Sequence, residues 1–445
     1  MPAPWANAGL RCLSVATFGC VLAHAQSPPE QGGGQDPARD ELERLRERVE
    51  ALERDRGESE QSVPQVDLSG AEYASIDALS GGDVSTRPWY ENIRISGYGA
   101  FGYYDSGGAG GVPEGSFLVK EASLFVEAQI WEKIAFFSET WITHYLFDSG
   151  SGFDVGELYV KFSDLFGTEN GARIGLKAGR IDVPFGEDYA RLDATDDPLI
   201  SLSAAAPWAI DEGVEVYGRA NALRWVLAAT NGNIDLGGDD TQSKLWSGKV
   251  ACDVTPDVYL SASLLEAGET GVSTIWFGRG LITPVGLFAG SAAGTSPSES
   301  VSATLWEGDA RLGGSRSWSL GLQYGGGLVD DDVDSFDRGL YWFQVEPAVH
   351  LTAELSLILR YSEIGTDDPD EGYLFEGDIF GSGDELGYDT HRMQRLSGGL
   401  RLALNPHVQI KAEVGHDWYD VIPGSTFDPA NDDRLFAGIE TVVSF

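Results

Sequence analysis

DDRLFAGIETVVSF, residues 432–445, closes the chain on a bare phenylalanine, and its alternate residues divide cleanly. Leu435, Ala437, Ile439, Thr441, Val443 and Phe445 share one parity, and Arg434, Gly438, Glu440 and Ser444 share the other. A period of two marks a strand with one apolar and one polar face. An edge strand of a soluble sandwich reads the same way, so the rest of the chain has to decide.

Working back from that stretch, the pattern repeats. Strands are expected at 91–104, 116–130, 133–145, 154–163, 172–180, 212–219, 222–230, 244–254, 257–266, 300–311, 316–325, 338–346, 351–362, 391–403, 407–419 and 433–445. In LTAELSLILRYS (351–362), Leu351, Ala353, Leu355, Leu357, Leu359 and Tyr361 oppose Thr352, Glu354, Ser356 and Arg360. HVQIKAEVGHDWY (407–419) sets Val408, Ile410, Ala412 and Val414 against Gln409, Lys411 and Glu413. SFLVKEASLFVEAQI (116–130) sets Ala122, Leu124, Val126, Ala128 and Ile130 against Glu121, Ser123, Glu127 and Gln129. About sixteen strands is an even number within the range of bacterial outer-membrane barrels.

The connections separate the two readings, because they alternate in length. WEK, DLFGTENG, AN, TP, GGSR and NP are short. DSGGAGGVPEG, 181–211, NGNIDLGGDDTQS, 267–299, GGLVDDDVDSFD, 363–390 and 420–432 are long. Transmembrane barrels pair short periplasmic turns with long extracellular loops, and a soluble sandwich has no reason to. Lipid cannot hydrogen-bond a backbone, so strands in a bilayer must close on themselves. The expected fold is therefore all-β: a transmembrane antiparallel β-barrel over 91–445, preceded by a short α-helical coiled-coil segment.

The N-terminal region reads as export and spacing. Residues 1–25 have a lone Arg11, an apolar run from Cys12 to Ala23 and the small-x-small site Ala23-His24-Ala25, a secretory signal peptide too short in its apolar core to span. Lipoprotein processing at Cys20 is disfavoured by the bulky Phe18. Residues 26–37 are a flexible linker by composition. In 38–60, Leu42, Leu45, Val49 and Leu52 fall at 3-4-3 spacing, with Arg48 at g and Glu53 at the following e, a seam for a parallel coiled coil in the periplasm. Residues 61–90 form a second linker. The expected location is the outer membrane of a Gram-negative-type bacterium.

Charge narrows the partners. The chain has 30 basic and 70 acidic residues, a formal charge of −40, which excludes nucleic acid. Expected lumen-facing bases are Arg94, Lys161, Lys177, Arg219, Lys249, Arg360, Arg395, Arg401 and Lys411. The acids of the same parity are Glu121, Glu127, Glu157, Glu215, Glu346, Glu354, Glu413 and Glu440, so the two sets nearly cancel. A water-filled channel and a wall of ion pairs both read this way. The excess acid lies in loops, as solvated faces or as a cation site. Cys252, the single cysteine beyond the signal, shares parity with Trp246, Gly248 and Val250 and reads as a small apolar-face residue rather than a nucleophile.

Signs of chemistry are sparse. GYGAFG (97–102) matches a dinucleotide fingerprint, but YYDSGGAGG follows where a helix is required. No nucleophile elbow, Walker loop, HExxH or complete EF-hand loop occurs. No catalytic residue, metal site or cofactor is expected. An outer-membrane barrel enzyme or a plugged structural surface protein stands as the alternative of another class.

One element carries a family resemblance. LYVKFSDLFGTENGARIGLKAGRIDVPFGED (158–188) resembles the strand-turn-strand of the phosphate-selective porin O and P family, which ends in a Gly-Arg/Gln-x-x-x-Pro-Phe-Gly element; here it is Gly179, Arg180, Pro184, Phe185 and Gly186. The resemblance implies a sixteen-stranded barrel, a homotrimer and passive diffusion of small solutes. It also makes Phe445 the signal read by the barrel-insertion machinery, with outer-membrane lipid and lipopolysaccharide around the wall. The chain departs from that family in one respect. Between Phe185 and Glu212 the only base is Arg191, among Glu187, Asp188, Asp193, Asp196, Asp197, Asp211 and Glu212. VKEAS (119–123) likewise offers one Lys and one Glu where the family has a basic pair. An anion path needs bases along the pore. The expected constriction residues, Glu187, Asp188, Arg191, Asp193, Asp196 and Asp197, therefore point to a porin with a weak cation preference, with a phosphate or other anion channel as the alternative.

Deleting residues 36–60 should weaken the native oligomer on semi-native gels while leaving the barrel heat-modifiable. A native protein that is already monomeric would rule out pairing through the Leu42–Leu52 seam.

Overall fold

The computed structural model describes residues 89–105, 115–144, 153–167, 172–191, 193–205, 207–232, 243–271, 276–279, 284–286, 300–314, 317–331, 337–367, 374–376, 386–421 and 434–445. The expected signal peptide, both linkers and the coiled-coil helix lie outside them. Alternating sequence becomes wall in sixteen long strands. They are β1 Ile93–Asp105, β2 Ser116–Trp131, β3 Ile134–His144, β4 Asp154–Gly167, β5 Arg173–Asp182, β6 Ile210–Ala220, β7 Leu223–Thr230 and β8 Leu245–Thr255. The second half is β9 Val258–Gly271, β10 Ser300–Leu312, β11 Trp318–Asp331, β12 Arg338–His350, β13 Leu355–Thr366, β14 Leu386–Asn405, β15 Val408–Val421 and β16 Arg434–Ser444. Each pairs antiparallel with its sequence neighbours, and β1 pairs with β16 from Tyr98↔Ser444 to Asp105↔Ala437. That last ladder closes the barrel and leaves the wall no free edge.

Parity decides which side faces out. Phe117, Leu328, Leu435 and Phe445 are exposed at 82%, 66%, 62% and 67%, whereas Trp342 and Leu305 on the inner face are at 0%. An exterior of exposed Leu, Val, Ile and aromatic side chains suits hydrocarbon rather than water. Cys252 lies on this outer parity, half-buried.

Two local devices adjust the parity read from sequence. The register of β1 against β2 shifts between Ala100↔Glu121 and Phe101↔Val119, leaving Lys120 as an extra residue. Lys120 joins Glu121 inside and reaches Glu440 at 3.1 Å. At the β6–β7 turn Asn221 adopts φ +55°, a left-handed conformation that asparagine tolerates.

The expectation of a strand from residue 351 is corrected. Residues 351–354 form a turn, in which the Thr352 hydroxyl accepts from the Glu354 and Leu355 N–H groups at 3.1 and 3.0 Å. β13 therefore starts at Leu355, because local side-chain bonding competes with the ladder there. Conversely β14 starts at Leu386, earlier than expected.

Phe445 continues the β16 ladder: its N–H donates to the Gly97 carbonyl at 3.0 Å and its carbonyl accepts from Gly97 N–H at 3.2 Å. Its side chain is outside, whereas Ser444 shares inner parity with the buried Val442 and Glu440. Phe445→Asp should lower membrane insertion several-fold, and Ser444→Asp should change it little. Equal insertion of the two variants in outer-membrane fractions would refute the assignment of faces.

Candidate functional site

The connection between β5 and β6, residues 183–209, turns into the barrel instead of leaving it. Its feet are held together, with Val183 N–H donating to the Ala209 carbonyl at 2.8 Å. The root is the Pro184-Phe185-Gly186 element. Gly186 has φ +72°, and a Cβ there would lie 2.2 Å from Glu307 Oε1, so only glycine fits. Its N–H donates to Ser263 Oγ at 3.1 Å and its carbonyl accepts from Lys249 Nζ at 2.6 Å. Phe185 meets Trp342 edge-on, centroids 6.3 Å apart. In the same element Gly179 has φ +143°, and Arg180 pairs with Glu212 at 2.8 Å across β5 and β6.

Beyond the root, wall side chains satisfy the loop. Glu187 pairs with Lys249 at 2.6 Å and with Arg311, and accepts from the Tyr259 hydroxyl. Burial alone would raise its pKa, but Lys249 and Arg311 bring it down to about 2. Four charges alternate farther on. Arg191 meets Glu346 at 3.0 Å, Arg360 donates through Nε to Glu346 at 2.6 Å, and Arg360 reaches Asp197 at 2.8 Å. Arg360 also donates to the Ser201 carbonyl at 2.7 Å.

Backbone groups this deep need partners, and the wall supplies them. Glu413 accepts from Ile200 and Ser201 N–H at 2.6 and 2.8 Å. Lys411 donates to the Ala194 and Leu199 carbonyls at 2.5 and 3.0 Å. Arg395, clamped by Asp417 at 2.7 Å, donates to the Leu202 carbonyl at 3.0 Å. Lys120 reaches the Ile200 carbonyl at 2.9 Å. Ala204 and Ala205 pack with Leu305, Trp342 and Ile364 in an apolar cluster on the inner wall.

Three loop acids make no ion pair among the described residues. Asp188 Oδ2 is buried without a hydrogen bond, and burial raises this carboxyl to about 6 against the pull of Arg191. Asp193 accepts from the Tyr98 hydroxyl at 3.0 Å; burial and then Glu139 raise it well above the usual range. Asp196 accepts from its neighbour Thr195 at 3.1 Å and is also raised by burial.

Of the expected lumen-facing charges, Glu121, Glu127, Glu157, Lys161, Lys177, Glu215, Lys249, Glu346, Arg360, Arg395, Lys411, Glu413 and Glu440 are buried on the inner parity. Arg401 is half-buried and donates to Gln409 at 2.7 Å. Arg94 and Arg219 share that parity but lie exposed near the short-turn end. Glu354 is in the 351–354 turn, exposed and bonded to Thr352. Arg311, Asp309 and Glu307 were not among the expected charges, although the period of β10 puts them on the inner face. Lys120 is inside only because of the bulge, which no local pattern announces.

No family model and no characterised protein sequence matches the chain. Solved structures do. The chain is similar to the outer-membrane channel DcaP of Acinetobacter baumannii, with TM-score 0.52 and 10% identity over 79% of this chain and 97% of that one. An anion-selective porin from Comamonas acidovorans gives TM-score 0.51 and 11% identity over 79% and 99%. OprB of Pseudomonas putida gives TM-score 0.50 and 9% identity over 80% and 94%. At such identities the shared property is the barrel fold.

Arg360→Leu would leave two buried carboxylates, Asp197 and Glu346, short of their shared cation. Breaking such a pair costs about 3–5 kcal/mol. The temperature at which the folded gel band disappears should fall markedly, and far more than for Arg401→Leu; equal shifts would show that Arg360 does not anchor the loop.

Proposed function

We propose that the chain is an outer-membrane porin, a passive channel through which small hydrophilic solutes or ions descend their gradients. The observation that carries this reading is the 183–209 loop bonded inside a closed barrel with an apolar exterior. Such a loop narrows the lumen without any bond-making chemistry. Membership of the phosphate-selective porin O and P family, assembly as a homotrimer and export by a cleaved signal peptide belong to the same proposal. Stable open steps in planar bilayers would support it. A barrel enzyme or a plugged scaffold should give none.

The charge arrangement supports a weak cation preference. Most bases nearest the loop are ion-paired, Lys249 and Arg311 to Glu187, Arg191 to Glu346, Arg360 to Asp197 and Glu346, and Arg395 to Asp417, while Arg401 is bonded to the neutral Gln409. Asp188, Asp193 and Asp196 remain as loop acids outside ion pairs. The phosphate or anion alternative would need bases with charge to spare at the same level. Likeness to an anion-selective porin at 11% identity does not reach that question.

Reversal potentials should show cation selectivity of a few-fold, about 1 kcal/mol, fading at molar salt as screening shortens from about 8 Å. Asp188, at about 6, is mostly protonated at pH 5 and ionised at pH 7, so the preference should increase across that interval. Asp188→Asn should flatten this pH dependence. Neutralising Asp193 and Asp196 together should lower the preference at higher pH, whereas Asp197→Asn should act mainly on stability. Anion selectivity, or block by micromolar phosphate, would overturn the reading.

A further inference from the structure

One sector of the outer wall carries charge where period two promises apolar residues. On β13 Leu357 and Leu359 are exposed on the outer parity, and the next residues of that parity are Tyr361 and Glu363. Glu363 accepts from the Tyr341 and Tyr361 hydroxyls at 2.8 and 2.7 Å and from Gln394 Nε2 at 2.8 Å. Beyond it, Arg392 donates through Nε to Asp420 at 2.6 Å. Register puts them all outside, with Glu363 opposite Gln394, Gln394 opposite Trp418 and Arg392 opposite Asp420. Glu363 is enclosed by its donors, but the Arg392 and Asp420 side chains are 38% and 40% exposed. Charge on a lipid-facing wall is costly at the bilayer midplane and tolerated at headgroup level. Glu363 lies near Thr366, the long-connection end of β13, with exposed Leu359, Leu396 and Val414 on its short-turn side. The cluster therefore marks where hydrocarbon ends on this sector.

An apolar groove opens beside it. Phe343 on β12 is the ladder partner of both Glu363 and Tyr324, and Tyr324 is the partner of Gly308 on β10. The small residues Gly308 and Ala310 leave a hollow of about 540 Å³, bordered by the outward side chains of Leu260, Leu322, Tyr324 and Val345. Those four side chains are exposed, so the hollow is open to the outside. A Cβ added at Gly308 would meet only the Ser261 carbonyl, at 3.9 Å. Gly308 lies toward Leu312, the short-turn end of β10, whereas Glu363 lies toward the opposite end of β13. The row from Glu363 back to Gly308 thus runs from headgroup level down into hydrocarbon.

A charged ledge above an open apolar groove fits an amphiphile. Arg392 offers donors and Asp420 an acceptor, side by side. A phosphate accepts from the guanidinium while a neighbouring sugar hydroxyl donates to the carboxylate. A head with anionic groups alone would meet Asp420 and Glu363, and one with cationic groups alone would meet Arg392. We infer that the β10–β15 outer wall holds one lipopolysaccharide molecule, its phosphorylated saccharide on Arg392 and Asp420 and an acyl chain in the Gly308 groove. This rests on the porin reading, which makes the long connections extracellular and this end of the wall the outer leaflet, and it adds a built lipid site to that surface.

The test uses the full chain in detergent, titrated with lipopolysaccharide of short saccharide length and read by native mass spectrometry, with conductance measured in parallel. One molecule per chain should bind saturably. Gly308→Phe fills the groove and Arg392→Gln removes the donor to phosphate. Each should raise the dissociation constant roughly tenfold, with heat-modifiable mobility showing that the barrel is folded. Val214→Phe, on the outer parity of β6, should leave binding unchanged. Equal affinity in wild type and both variants would overturn the site. So would uptake of many molecules without saturation, or tighter binding of phosphatidylethanolamine or phosphatidylglycerol than of lipopolysaccharide. Any of these with normal conductance leaves the porin reading intact. A chain without conductance would fail as a porin, and the lipid titration would still decide the site.

Discussion

Every other feature of this molecule depends on the ladder between its first and last strands. A strand sheet facing hydrocarbon cannot leave N–H and C=O groups unpaired, because no water is there to receive them. Pairing β1 with β16, and Gly97 with Phe445 at its end, removes the two edges at once. Closure then imposes an inside and an outside on every strand. A period-two sequence thereby becomes a surface for lipid and a lined interior.

The interior is where the energetic difficulty lies. A loop of irregular backbone inside a barrel carries donors and acceptors that solvent cannot reliably serve. The wall answers with long charged side chains used as hydrogen-bonding arms: Lys411 and Arg395 toward carbonyls, Glu413 toward N–H groups. Both cationic arms are themselves held by a partner of opposite charge, Arg395 by Asp417 and Lys411 by Glu440. The loop's position is thus over-determined by many partners, and its charges divide into two populations. Glu187, Arg191 and Asp197 anchor the loop through ion pairs, whereas Asp188, Asp193 and Asp196 stand outside ion pairs and burial raises their carboxyls.

The same division explains why one sector of the wall is different. From β8 round to β2 the inner face is occupied in holding the loop. On β1–β4 the rings of Tyr98, Phe125, Phe137 and Tyr159 stack in a row, and Tyr98 also packs with Ala194 of the loop and donates to Asp193. The inner face thus has two unlike sectors, one of ion pairs that hold the loop and one of rings bordered by mixed charge.

The sixteen strands, their faces and the alternation of short and long connections were legible in the residues themselves, because side-chain period and turn composition are local properties. Thr352 and the Lys120 bulge show the limit: a hydroxyl that captures two N–H groups ends a strand early, and one extra residue moves a lysine inside. The candidate site was legible as a composition, six charges between Phe185 and Pro198, and the long 181–211 connection as its place. Which of those acids are neutralised was not legible. Lys249, Arg311 and Arg360 lie 62, 124 and 163 residues from their partners Glu187 and Asp197. Only barrel closure brings them together, and the ring row on four separate strands is assembled in the same way. Periodicity by itself determined the wall; the tertiary structure decided what stands inside it, since contacts across a lumen depend on strand register and loop path rather than on neighbouring sequence.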